Sequence, residues 1–348
     1  MSYQILQLLG LCVLVATISG SPTTEKMSRL KILIANPTVP QIAYKLLADK
    51  YEVTTSTSHD RAAILKDVRG VDALFWATHN RIDKEILDAA GPQLKVIGTM
   101  SVGYNHIDLE EVKARGIKLS NTPNVLNGAV ADIAMLLALA AARRYPEGRQ
   151  HIERGTWVKE FDTQWMLGQD IAGSTIGIVG LGRIGQTIAK RLQGFDAHKI
   201  LYTGHKEKPQ AKDLGYEFVN LDELARRSDF IFLSAPLTNE TMNMCNEAFF
   251  AKMKKNGILI NISRGQLVDQ DALIAALKAG RIFAAGLDVM IPEPLNTDSE
   301  LLKLPNVVLT PHIGSATGNT RNAMAKLTAE NILAGLAGEE LISPVPLP

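Results

Sequence analysis

Arg264 in INISRG, Glu293 in DVMIPEPL and His312 in LTPHIGSA each end or follow a β-rich run in the second half of the chain. In an open α/β sheet, positions just past the carboxyl ends of parallel strands face a common crevice. The three residue types complement one another chemically. A guanidinium grips a carboxylate bidentately and polarises an adjacent carbonyl. A histidine titrating near neutrality hands a proton to a carbonyl oxygen as hydride arrives. A carboxylate on the other ring nitrogen fixes the tautomer and favours the protonated ring. Taken singly, each has a plainer reading: a capping histidine, an arginine solvating a loop, a glutamate in a stiff Pro-Glu-Pro turn.

Such chemistry needs a hydride carrier, and TIGIVGLGRIGQTIAKRL, Thr175 to Leu192, points to one. Gly180-Leu181-Gly182-Arg183-Ile184-Gly185 follows a β-branched strand and opens a helix, the context that gives a GxGxxG run its meaning. Gly180 allows the tight turn and Gly182 lets the backbone approach a pyrophosphate. Gly185 lets helix and strand pack closely, and the helix start offers free N–H groups. A NAD-selective loop places a carboxylate about twenty residues on, at the next strand end. Here that end reads Thr203-Gly204-His205-Lys206-Glu207-Lys208, with no carboxylate at the strand end itself. Gly204 leaves space and His205 and Lys206 supply cations, so the sequence favours NADPH, with NADH possible.

These residues need strands and helices to position them. From Lys31, β-rich runs (KILIAN, ALFWAT, LKVIGTM) alternate with helical spacing, and a second series runs through STIGIV, KILYTG, FIFLSA, GILINIS, AAGLDV and VVLTPH. The alternation predicts α/β architecture with parallel sheets and right-handed crossovers. NTPNVLNGAVADIAMLLALAAARR reads as a long Ala/Leu helix, apolar nearly all round, expected to lie buried between layers as it joins two domains. A last helix near Asn319 to Leu336 is expected to return to the first domain. With 348 residues, two domains are the prior expectation. Lys+Arg 37 against Asp+Glu 36 leaves no bulk charge for nucleic acid or an anionic membrane. Cys12 and Cys245 lie far apart, which excludes a disulfide framework and a cysteine-rich metal site. An apolar stretch from Ile5 to Ile18 has the length of a signal-peptide core but lacks a basic lead. Two readings stand there: a secreted form, or a cytoplasmic chain starting at Met27.

Several motifs carry a specific likeness. IGIVGLGRIG, NISRGQLVDQDAL, AAGLDVMIPEPL and LTPHIGSAT, in this order and spacing, together with SVGYNHIDLEEVKARGIKLSNTPNVL, resemble the D-2-hydroxyacid dehydrogenase family over Leu30 to Glu340. The resemblance implies two Rossmann-like or flavodoxin-like domains, the cofactor domain (123–312) inserted into a substrate domain (27–122 and 313–348) after the leader or extension (1–26). It implies reduction of a small 2-oxoacid, hydroxypyruvate or glyoxylate; the unusually apolar joining helix adds the expectation of a homodimer, with no metal, nucleic-acid or membrane partner expected. Arg264 then takes the substrate carboxylate and carbonyl, Glu293 partners the histidine, His312 donates the proton, and backbone at Val102 and Gly103 binds substrate. Gly182, Arg183, Ile184, Gly204, His205, Lys206, Ile262, Asp288 and Gly314 line the cofactor or the substrate edge. One departure is noted: in GTWVKEFDTQWMLGQD, Phe161 stands where relatives place a Trp that reaches the partner subunit's site. Other readings are a phosphoglycerate or D-lactate type dehydrogenase, or a dinucleotide-sensing corepressor-like binder.

Overall fold

A computed structural model of the chain describes residues 29–158 and 162–348; the leader, the Met27 start and Phe161 lie outside the described residues. Two parallel sheets are formed. The first contains β1 (Lys31–Ile34), β2 (Glu52–Thr55), β3 (Ala73–Trp76), β4 (Val96–Thr99) and β5 (Lys118–Ser120), in the order β2-β1-β3-β4-β5. That is the flavodoxin-like order. Its crossovers carry α1 (Gln41–Ala48), α2 (Arg61–Asp67), α3 (Lys84–Ala90) and α4 (Leu109–Ala114). Asp83 and Asp108 cap α3 and α4 by accepting the Ile86 and Glu111 N–H groups.

Helices α5 (Asn127–Ala142) and α6 (Tyr145–Glu153) lead into the second sheet. It comprises β6 (Thr175–Val179), β7 (Lys199–Thr203), β8 (Glu217–Phe218), β9 (Phe230–Leu233), β10 (Ile258–Asn261), β11 (Ala284–Leu287) and β12 (Val307–Leu309). The order is β12-β11-β10-β9-β6-β7-β8, so the chain reverses direction across the sheet between β6 and β9. Ligands bind at such a switch point. The connecting helices are α7 (Arg183–Gln193), α8 (Pro209–Asp213), α9 (Leu221–Arg227), α10 (Glu247–Lys252) and α11 (Gln270–Lys278), and α12 (Gly318–Leu336) closes the series. Among the described residues no helix is long and apolar enough to cross a membrane.

Central strands follow from composition. ALFW in β3, FIFL in β9 and ILIN in β10 are buried at every residue, as strands covered on both faces must be. Three strands escaped the sequence reading. β2 is a polar, largely exposed edge strand, while β5 and β8 have only three and two residues, too few to show a period. α12 packs on α1 and β4, as expected for a helix returning to the first sheet. Buried Asn331 of α12 accepts the Ser343 N–H at 2.9 Å and donates to Ser343 Oγ, and Ser343 Oγ donates to the Asn121 carbonyl. The chain end is thereby tied to the loop after β5.

The expectation for α5 needs correction. Val130, Ala134, Leu137 and Ala138 pack inward against β10, β11 and α7, but Leu136 (51% exposed) and Leu139 (38%) face solvent. The helical period places 136 and 139 on the side away from both layers. An apolar sequence all round therefore yields one buried and one open apolar side.

Candidate active site

The carboxyl ends of both sheets open into one cavity of about 1770 Å³. A small acid alone needs far less space, whereas a dinucleotide beside an acid fits. Val102, Gly103, Gly182, Arg183, Ile184, Ile262, Arg264, Asp288, Glu293, His312 and Gly314 all line it. Gly204, His205 and Lys206 do not; they form an exposed turn after β7, with His205 Nδ1 3.7 Å from Glu240 Oε2.

The glycine loop connects β6 to α7 at the switch point. Gly180 has φ +90°, and a Cβ there would lie 2.8 Å from backbone atoms of Ala235 on the neighbouring β9 connection. Only glycine tolerates both constraints. A Cβ at Gly185 would run into the Gly180 carbonyl oxygen. Gly182 caps α7 with no side-chain hydrogen bond, and a Cβ added there meets nothing within 4 Å. The first N–H groups of α7 are thus open to an anion at its positive end, and the cradle fits a dinucleotide pyrophosphate.

Arg264 follows β10. Its Nη1 donates to the Ser263 carbonyl at 2.7 Å and its Nε to Asn105 Oδ1 at 3.0 Å. Burial holds the guanidinium below its ordinary pKa, partly offset by the Glu293 carboxylate; an arginine starts so far above neutrality that the charge persists at pH 7. Nη2 rests against Gly103, where an added Cβ would collide with it. A Gly103→Ala variant therefore displaces the guanidinium tip. Its expected effect is at least a tenfold loss of kcat/KM for the acid substrate, with dinucleotide affinity measured by fluorescence titration little changed.

His312 follows β12 with φ +53°, a left-handed conformation that histidine adopts more readily than most residues. Asp288, buried at the end of β11, holds it there. Its carboxylate accepts Thr310 Oγ1 at 2.7 Å and the N–H groups of Ile313 and Gly314 at 2.8 Å each, while its carbonyl accepts the His312 N–H at 2.9 Å. Asp288 thus clamps the histidine loop besides lining the cavity. His312 Nδ1 lies 2.7 Å from Glu293 Oε2, which leaves Nε2 as the ring nitrogen without that bond. Burial works against the Glu293 carboxylate, but the hydrogen bond and charge of His312, the Met290 N–H and nearby His79 outweigh it and hold its pKa below the usual range. The carboxylate is therefore ionised at neutral pH and is lost only as pH falls through that depressed value.

The sequence reading missed Asn105, His106 and His79. Asn105 and His106 sit in SVGYNHID, which offered only Val102 and Gly103 as contacts. Burial, with the charges of Arg264 and His79, drives His106 down to about 4, so it is neutral at pH 7 and a poor proton donor. His79, in the loop after β3, brings its ring centroid to 5.9 Å from that of His312. It directly follows the β-rich run ALFWAT, a strand-end position that could have marked it, but its approach to His312 comes from the meeting of the two sheets. Among the described residues no group of three or more His, Cys, Asp or Glu could hold a metal ion.

A glycine-cradled cleft with an Arg, Glu and His on neighbouring strand ends defines a dinucleotide-dependent oxidoreductase architecture. Residues 135–314 match the D-isomer specific 2-hydroxyacid dehydrogenase, NAD binding domain family. The chain belongs to that family and is an oxidoreductase with a nicotinamide dinucleotide cofactor. It is 48% identical over 283 residues to the human glyoxylate reductase/hydroxypyruvate reductase, covering 81% of this chain and 86% of that one. Identity to the Pyrococcus horikoshii glyoxylate reductase is 46% over 307 residues, 86% of this chain and 91% of the relative. Among solved structures, the NADPH-dependent glyoxylate/hydroxypyruvate reductase of Sinorhizobium meliloti in complex with NADP and malonate aligns with TM-score 0.81 and 34% identity, covering 91% of this chain and 97% of that one.

Proposed function

We propose that this enzyme reduces hydroxypyruvate to D-glycerate and glyoxylate to glycolate, with NADPH as the favoured reductant. The observation that carries the reading is the His312–Glu293 pair at 2.7 Å, in the same cavity as a tethered Arg264 and an open glycine cradle. The names of the relatives support the substrate class.

In this reading Arg264 takes the substrate carboxylate, its fork pre-aimed by Asn105 and the Ser263 carbonyl, with backbone N–H groups at Val102 and Gly103 completing the grip. The clamp fixes which face and edge of the carbonyl are presented, an orientation effect of several kcal/mol, of order 7 in well-aligned cases. Gly182, Arg183 and Ile184 would hold the dinucleotide phosphates, with Gly180 and Gly185 shaping the turn and the helix packing, and Ile262, Asp288 and Gly314 on the other edge. When bound, the reduced nicotinamide supplies a hydride to the carbonyl carbon. His312 Nε2 gives the proton to the carbonyl oxygen, while Glu293 on Nδ1 holds the ring and stabilises its charged form.

The strand end of β7, which carries no carboxylate itself, supports NADPH: Gly204 leaves room and Lys206 supplies positive charge for a 2′-phosphate, with Glu207 and Glu240 the nearby acids. A second copy of the chain would suit the exposed apolar residues Leu136 and Leu139 of α5, with Ile152 and Trp157 exposed as well. The test is steady-state kinetics on both acids with both cofactors. The expected result is turnover of both and about a tenfold or greater preference in kcat/KM for NADPH, the scale of one charge-assisted contact. Turnover of neither acid overturns the substrate assignment, and an NADH preference overturns the reading of the β7 end.

A further inference from the structure

We propose that His79 determines substrate specificity by hydrogen-bonding a polar substituent on C3 of the 2-oxoacid; this rests on the reading that the enzyme reduces such acids. His79 reaches the cavity from the first sheet, opposite the strand ends that supply Arg264, Glu293 and His312. The backbone around it is held firmly. Asn36 Nδ2 donates to the Ala77 carbonyl at 2.7 Å, Trp76 Nε1 to the Asn80 carbonyl at 3.0 Å, and Asn80 Nδ2 to the His59 carbonyl at 2.7 Å. The His79 ring, in contrast, has no hydrogen-bond partner among the described residues. The groups nearest the proposed chemistry are engaged: Arg264 with Asn105 and Ser263, His312 with Glu293, and His106 with Thr99 Oγ1 at 3.3 Å.

The geometry of the substrate then selects what His79 meets. A trigonal carbonyl carbon carries three groups in one plane, and the hydride arrives perpendicular to it. With the carboxylate on Arg264 and the oxygen toward His312, the third in-plane direction is left to C3 and its substituent. His79 lines the same cavity, its ring centroid 5.9 Å from that of His312 and tilted by 51°, and is assigned to that substituent. The ring nitrogens of an imidazole match a hydroxyl, which both donates and accepts; a methyl leaves them unmet. Glyoxylate has no C3 and cannot use the contact.

The experiment is kcat/KM of His79→Leu and His79→Asn on hydroxypyruvate, pyruvate and glyoxylate. In His79→Leu the hydroxypyruvate-to-pyruvate and hydroxypyruvate-to-glyoxylate ratios are expected to fall about tenfold, the scale of one net hydrogen bond. His79→Asn, which keeps a donor and an acceptor, restores part of both. Loss of activity in equal proportion on all three acids, or unaltered ratios, overturns the assignment. If the unsubstituted enzyme reduces none of the three, the parent reading falls and this one with it.

Discussion

Turnover of a His312→Gln variant falls by about two to four orders of magnitude, the usual contribution of a positioned proton donor. The glutamine amide can still meet Glu293 and fills similar space, but it carries no transferable proton. Little folding stability is at stake, because the His312 side chain is about a third exposed and lies outside the core clusters. The left-handed backbone at 312 costs glutamine about 1 kcal/mol more than it costs asparagine, which visits that region readily. A His312→Asn variant therefore serves as the companion that removes the proton without straining the loop. Both are expected to bind NADPH with nearly unaltered affinity, since the cradle lies at Gly180 to Gly185. Retention of turnover within tenfold in either variant shows that another group donates the proton. His106 is a poor substitute, being held neutral by burial.

An Arg264→Ala variant loses about three orders of magnitude in kcat/KM, divided between a higher KM and a lower kcat. The KM part reflects a lost bidentate, charge-assisted contact with the carboxylate. The kcat part arises because the same contact holds the carbonyl in line for reaction, so an acid that still enters the cleft samples unproductive poses. Arg264→Lys recovers little, since an ammonium cannot hold Asn105 Oδ1 and the Ser263 carbonyl while also forking a carboxylate. Steady-state kinetics over a wide substrate range separate the two parts. A fall in KM-dependent rate alone, with kcat preserved, removes the orienting role and leaves a simple anchor.

The residues that the sequence offered as chemistry were legible because each follows an apolar run recognisable as a buried strand, and parallel strands send their carboxyl ends to one edge. β9 and β11 are wholly apolar, and β6 and β10 are apolar apart from Thr175 and Asn261 at their ends. The glycine loop is local, requiring only a strand, a turn and a helix in succession, so its spacing in sequence equals its spacing in space. β2, β5 and β8 were not legible, because edge strands are polar and very short strands contain no period.

Other features arise only from the meeting of distant segments. Asn105 approaches Arg264 across 159 positions, and His79 comes to His312 from a different sheet. Asp288 could be named as a lining residue, but its four-bond hold on the loop at 310–314 emerges only once β11 and β12 lie side by side. Which face of α5 remains open was likewise settled by its packing, not its composition. Local sequence determined the strands, the dinucleotide turn and the reacting residue types, because those depend on backbone periodicity and neighbours a few positions away. Tertiary structure decided which partners aim and confine them, because hydrogen bonds and side-chain burial depend on separation in space, which the order of residues does not encode.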